Sequence, residues 1–210
     1  PRDALPAPGP HSAHLVPGHL RRASYNVIVH DEPGLPLARH LAERYEMPYV
    51  RSDAGAPIGF DATQAWVMAV CQAVGADPGP AMAEIARYRQ EAAKKIYRFR
   101  LKTAMPRGIG FGVVLEASLA WPLTRWLYEY LGMVPVAVQV ANEDHPMAQQ
   151  LLHYLESLDA QKVWNAELLA EAPPETVFAN DAVNLRLMSE CPSVVGIDLS
   201  MPAKDITHFV

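Results

Sequence analysis

Two successive blocks of short apolar strand patterns alternating with amphipathic helices, joined by a basic helical stretch over residues 94–102, leave this chain few architectures to choose from. Strands alternating with helices of this length build βαβ units, and right-handed crossovers lay such units into mainly parallel sheets. The expected fold is therefore α/β: two Rossmann-like subdomains with mainly parallel sheets, joined by a long helix. The boundaries fall at a flexible, Pro-, Gly- and His-rich segment over residues 1–19, a first subdomain with the linking helix over 20–104, and a second subdomain over 105–210.

In the first block, residues 25–30 form a β-rich run that leads into Asp31-Glu32-Pro33-Gly34, read as a loop. Ala38, Leu41, Ala42 and Tyr45 then make one helical stripe. Residues 48–50 give the next strand. Asp61 is the expected N-cap of a second helix, with Gln64 completing a capping box, and Ala62, Ala65, Trp66, Ala69, Val70 and Ala73 form its buried face. Gly75 ends that helix. A long helix over 80–102 follows, with Met82, Ile85, Tyr88, Ala92, Ile96 and Phe99 on its more buried side. The second block reads as strand 109–115, helix 118–131 stopped by Gly132, strand 134–140, helix 146–158, strands 162–164 and 176–179, helix 181–190 and strand 194–199. In the first helix of this block Leu119, Leu123, Trp126, Leu127, Tyr130 and Leu131 form the apolar stripe.

Composition excludes several function classes. A net charge of -5 and a pI near 5.9 argue against a nucleic-acid partner, whose phosphates demand a basic surface. The longest apolar runs fall far short of the roughly 20 residues that span a bilayer. An apolar export segment is also missing from the start of the sequence, and two distant cysteines, Cys71 and Cys191, offer neither a disulfide framework nor a CxxC metal site. A cytoplasmic location is expected on these grounds. Because the sequence opens on Pro1, it is expected to be either a piece of a longer protein or one with a processed N-terminus.

Parallel sheets bind ligands beyond the carboxyl ends of their strands. Crossover handedness puts the segments 30–34, 116–118, 141–145 and 179–182 on one edge. His30, Asp31, Glu32 and Glu116 are the candidate catalytic residues there, as proton donors or ligand contacts, with Asn180 and Asp181 as candidate substrate contacts. Each acid alone is more simply a surface-loop residue, and His30 is equally readable as a satisfied loop histidine. Gly108, Gly110 and Gly112 precede or lie within a strand rather than in a strand-to-helix turn, so close packing of helices on the sheet explains them better than a dinucleotide does. His11, His14 and His19 lack an element to preorganise a metal site. Cys71 and Cys191 read as small apolar fillers. Lys94, Lys95, Arg98, Arg100 and Lys102 read as a solvated face, or else as a docking surface for an acidic partner. No nucleophile elbow is visible to support a hydrolase.

Several local strings in order carry a resemblance. They are Tyr25-Asn26-Val27-Ile28-Val29, Leu41-Ala42-Glu43-Arg44-Tyr45-Glu46-Met47-Pro48-Tyr49, Pro57-Ile58-Gly59 with Ala62-Thr63, Leu131-Gly132-Met133-Val134-Pro135-Val136, and Ala179-Asn180-Asp181 before a helix. Over residues 20–205 the chain resembles the nitrogenase component 1 family, which includes nitrogenase subunits, cofactor-assembly scaffolds and the light-independent protochlorophyllide and chlorophyllide reductases. It departs from that family where His30 follows the first strand in place of a cofactor-binding Cys, and where Glu116 stands for a Gly-Asp turn. Ala179-Asn180-Asp181 replaces a Gly-Asn-Ser-like turn, and Val195-Gly196-Ile197-Asp198-Leu199 replaces an Arg-Ile-Gly-Phe-Pro segment.

The resemblance implies the C-terminal portion of an oxidoreductase component that reduces a bound substrate with electrons from an ATP-dependent iron-sulfur reductase. It implies a related component 1 subunit as partner, a tetrapyrrole or metallocofactor as ligand, and an iron-sulfur cluster in the complete protein. The family's cluster cysteines lie in a domain that precedes the matched region, so this chain alone is not expected to be active. A non-catalytic scaffold for a metallocofactor or its precursor, or an assembly partner, is the competing expectation. A sugar- or nucleotide-binding protein would need phosphate-binding turns that the sequence lacks.

Overall fold

A computed structural model describes residues 23–104, 106–158, 174–180 and 195–198. The expected N-terminal segment 1–19, with its three histidines, lies outside them, as do the strand at 162–164, the helix at 181–190, Asp181 and Cys191. The described residues form an α/β fold with two parallel sheets.

The first block holds β1 (Asn26–Val27), α1 (Asp31–Tyr45), β2 (Tyr49–Val50) and α2 (Gly59–Val74). Its sheet is small: β1 and β2 pair in parallel over two residues each, and Asn26 and Ile28 donate to Pro48 and Val50 carbonyls at 2.9 Å. The Asp-Glu-Pro-Gly segment is not a loop but the opening turn of α1. Pro33 is tolerated there because first-turn N–H groups have no partner within the helix, and the two acids suit its positive end. Asp61 is likewise not a cap. Ile58 caps α2, and the Asp61 side chain pairs with Arg89 and accepts from the Tyr130 hydroxyl at 3.2 Å.

The linking helix α3 (Gly79–Thr103) is 25 residues long. Only Ala92 of its expected inner face is buried, and Tyr88 and Phe99 are exposed, as is Tyr45 of α1. Arg100 leaves the otherwise solvated basic face to donate to the Tyr130 and Leu131 carbonyls at 2.9 and 2.7 Å. It thereby satisfies the open end of the helix in the second block.

The second block holds β3 (Gly110–Leu115), α4 (Ala117–Trp126), β4 (Val134–Val140), α5 (Pro146–Ser157), β5 (Thr176–Ala179) and β6 (Val195–Asp198). The sheet order is β4-β3-β5-β6, all parallel. Central β3 is buried along nearly its whole length, which is why it reads as an unbroken apolar run. Pro135 is accommodated because β4 is an edge strand with a register shift opposite Phe111/Gly112. Helix α4 ends in a π-helical turn (Leu127–Leu131) that Gly132 closes in the left-handed region at φ 69°.

The core lies between this sheet and α4 and α5, around Phe111, Val113, Leu123, Leu127, Met147 and Leu151. Helix α4 is buried on more than one face, Ser118, Ala120, Pro122 and Thr124 included, because the first block covers the side the sheet leaves open. Gly110 serves the sheet rather than helix packing: an added Cβ would lie 2.6 Å from Glu175 Oε2 and 2.7 Å from Val136. No helix among the described residues is long and apolar enough to cross a membrane.

Candidate functional site

The chain runs from β3 through α4 to β4 on one side, then returns to place β5 on the other. That reversal is a topological switch point, and an open parallel sheet leaves a crevice there, outside the strand ends. Glu116 leaves β3 at this point and is the N-cap of α4. The register that sets Val114 against Ala179 brings Asn180 to the same edge.

The N-terminus of α4 is a ready anion site, and the first block fills it. Glu32 accepts the Ser118 backbone N–H at 3.0 Å and the Ser118 hydroxyl hydrogen. The same hydroxyl oxygen accepts the Asp31 N–H at 3.2 Å. Ala56 then donates to the Ser118 carbonyl at 2.8 Å. Ser118 is wholly buried, so one residue ties α1 and the β2–α2 loop to the second block.

Charge is arranged in two groups around this seam. Asp31, 4% exposed, is paired with Arg51 at 2.7 Å and lies 3.6 Å from His145 Nε2. His145 in turn caps α5, its Nδ1 accepting from Met147 N at 3.2 Å. In the second group His30 Nε2 stands 3.2 Å from Glu32 Oε2 and 4.0 Å from Glu116 Oε2. It is shielded from solvent yet makes no aligned hydrogen bond among the described residues. A cavity of about 360 Å³ opens beside the first group, with Arg39, Arg51, Asn142 and Asp144 on its walls.

Burial alone would raise the Glu32 pKa, but the His30 contact and the side-chain and backbone hydrogen bonds from Ser118 outweigh it. The carboxyl falls from 4.5 to about 2. It is ionised at neutral pH, and its bonds to Ser118 hold the seam. Because the folded pKa lies below the unfolded one, this stabilisation is full above about pH 4.5 and is lost as pH falls towards 2. Glu32→Gln is expected to cost about 1–2 kcal/mol at pH 7, a figure discounted for solvent screening. The gap between variant and wild type should narrow below about pH 4.5 and close as pH approaches 2 in urea titrations. Parallel stability curves across that range would reject the assignment.

The structure thus brings His30, Asp31, Glu32 and Glu116 together and sets Asn180 on the same edge. Sequence reasoning missed Ser118, Arg51 and His145, which share the strand-end position of the chosen acids. Ser118 in a helix's first turn and His145 before Pro146 were the available signals.

An iron-sulfur cluster does not fit the donors of this chain. The whole sequence has two cysteines, of which Cys71, on α2, lies among the described residues and is free there. Among the described residues no group of three or more His, Cys, Asp or Glu side chains is arranged to hold a metal. Four thiolates are the usual requirement.

A family model described as nitrogenase component 1 type oxidoreductase matches residues 18–196. The chain belongs to this family. The solved structure described as "Nitrogenase Cp1 at pH 6.5" has a similar fold, with a TM-score of 0.59 at 14% identity over 89% of this chain. That alignment covers 40% of the solved chain, so the present sequence spans about two fifths of the length of that nitrogenase structure. No curated protein sequence matches it. In a nitrogenase component 1 type protein, the seam at Ser118 means that the two blocks share one set of buried hydrogen bonds rather than meeting at a loose surface.

Proposed function

We propose that this chain forms part of a nitrogenase-like oxidoreductase component that reduces a bound substrate with electrons from an ATP-dependent iron-sulfur reductase. The crevice at the β3 switch point is its ligand-facing wall. The observation that carries this reading is His30, its Nε2 withdrawn from solvent between two carboxylates without an aligned hydrogen bond. Such a group is equipped to give or take a proton at a ligand. His30 and Glu116 are the proposed proton-transfer and contact residues, Asp31 and Glu32 hold them in place, and Asn180 and Asp181 are proposed substrate contacts. Cluster ligands have to come from outside this chain, and a related component 1 subunit is the proposed partner. The ligand class is a tetrapyrrole or a metallocofactor.

One observation favours a second reading, a scaffold that holds a metallocofactor or its precursor without redox turnover: the chain brings too few soft donors to build a cluster itself. The deciding experiment purifies the full-length parent protein without oxygen and measures iron and acid-labile sulfide. Reductase- and ATP-dependent substrate reduction is then assayed. Stoichiometric cluster iron is expected, and His30→Gln should lower turnover on the order of 100-fold with iron content unchanged. A colourless, iron-free protein would overturn the oxidoreductase reading in favour of the scaffold, and unchanged turnover in His30→Gln would remove His30 from the chemistry.

A further inference from the structure

A second cavity, of about 300 Å³, lies away from the switch point, between α2, α3 and the C-terminal end of α4. Its walls are Ile58, Phe60, Ile85, Ala92 and Trp126. It shares no lining residue with the cavity beside Asp31. Its shape depends on Gly59, whose φ of 72° is left-handed and whose added Cβ would lie 2.5 Å from Trp126 Cδ1. The absence of that atom lets the indole close over the cavity floor.

Two polar groups on the lining, those of Thr63 and Glu91, are already engaged. The Thr63 hydroxyl turns onto the Pro57 and Gly59 carbonyls at 3.0 and 2.6 Å. Glu91 is drawn along α3 to Arg87 at 2.6 Å. Lys95 has no ion-pair or hydrogen-bond partner among the described residues, although Glu91 stands one helical turn before it. The cavity therefore presents an apolar, aromatic-walled interior with one ammonium on its lining, that of Lys95, which makes no ion pair or hydrogen bond among the described residues. Ligand sites are commonly built this way, with mostly apolar walls and a small number of polar groups that fix orientation.

We propose that this cavity binds a small apolar monocarboxylate, a ring or short alkyl body of roughly a dozen non-hydrogen atoms. The body lies between Phe60 and Trp126 and the carboxylate meets Lys95. A ligand without charge gains only the apolar contacts. A dianion leaves one charge unmatched over an apolar wall, which is costly.

The test uses 2-naphthoate and its neutral counterpart 2-naphthalenemethanol as probes, with binding followed by calorimetry on the full chain. The carboxylate is expected to bind with Kd on the order of 10–100 µM and the alcohol several-fold more weakly. Lys95→Met, at an exposed position that does not touch the core, should weaken the carboxylate about tenfold and leave the alcohol unchanged. Ala92→Phe, which fills the cavity, should remove binding of both. Circular dichroism and sedimentation on each variant establish that it is folded and report its assembly. Absence of naphthoate binding at 1 mM (a concentration about tenfold above the weaker expected Kd) would overturn the proposal. So would affinity unaffected by Ala92→Phe, or a dimer that Ala92→Phe dissociates, which would assign the groove to a second copy of the chain.

Discussion

Gly55→Ala is expected to lower stability by at least about 3 kcal/mol, the larger part from one contact. Gly55 has φ 83°, and an L residue in the left-handed region costs roughly 1–2 kcal/mol. The added Cβ would also sit 2.5 Å from the Ser118 carbonyl oxygen, 3.1 Å from Pro122 Cδ and 3.3 Å from Met147 Sδ. The carbonyl cannot retreat freely, because it accepts the Ala56 N–H and its residue is held by Glu32. Gly108 supplies the control: its φ is 81°, and nothing lies within 4 Å of its added Cβ. Gly108→Ala should show the backbone strain alone, so the difference between the two variants in thermal and urea denaturation measures the seam. Equal losses in both would show that the blocks part easily at Ser118.

That seam explains how a first block with a sheet of only two residue pairs is held in place. Its strands are too short to stand alone. Its order comes from Glu32 and Asp31 on Ser118, from Ala56 on the Ser118 carbonyl, and from Trp66 donating to the Ile28 carbonyl at 3.0 Å. The same contacts bring the first strand's exit, with His30, over the end of β3. Stability and the candidate chemistry therefore depend on one junction, and a variant there has to be shown to be folded before its activity is interpreted.

Much of the second block was legible because its signals are local. The edge strand expected at 134–140 is Val134–Val140, and that expected at 176–179 is Thr176–Ala179, since β-branched runs there are bounded by turn residues. Gly75 and Gly132 stop their helices where left-handed backbone is needed. Pro33-Gly34 misled for an equally local reason: the pair signals a turn, but at the third and fourth positions of a helix proline loses nothing. Gly34 also lets α1 approach Ile28, whose Cγ2 would lie 3.1 Å from an added Cβ. Strand-end counting drew attention to His30, Glu32 and Glu116, and both carboxylates do lie within 4.0 Å of His30. Ser118 and Gly55 stayed hidden because their roles exist only when the two blocks dock, and Arg51 because its partner Asp31 comes from a different element of the same block. No periodicity within either block encodes that.

Arg51→Met should be the other strongly destabilising change, at about 2–4 kcal/mol. It leaves the Asp31 carboxylate buried without its main partner, and breaking such a pair from one side is costly. The loss stays below the upper limit because Arg51 itself is 33% exposed, and because Asp31 keeps the helix N-terminus and the His145 imidazole at 3.6 Å. Asp31→Asn alone should also destabilise, because the guanidinium then keeps only the exposed Asp53 as a carboxylate partner. The double variant should lose less than the sum, with a coupling of about 1–2 kcal/mol in urea midpoints. Asp53 offers the contrast within the same side chain's reach. It meets Arg51 at 3.1 Å but is 91% exposed, so Asp53→Asn should fall within about 0.5 kcal/mol of wild type. Additive losses at Arg51 and Asp31, or an Asp53 effect as large as theirs, would mean that Arg51 acts through surface charge. The buried Asp31 would then be held by the α1 terminus and His145, and the wall of the crevice would rest on the second block instead of on β2.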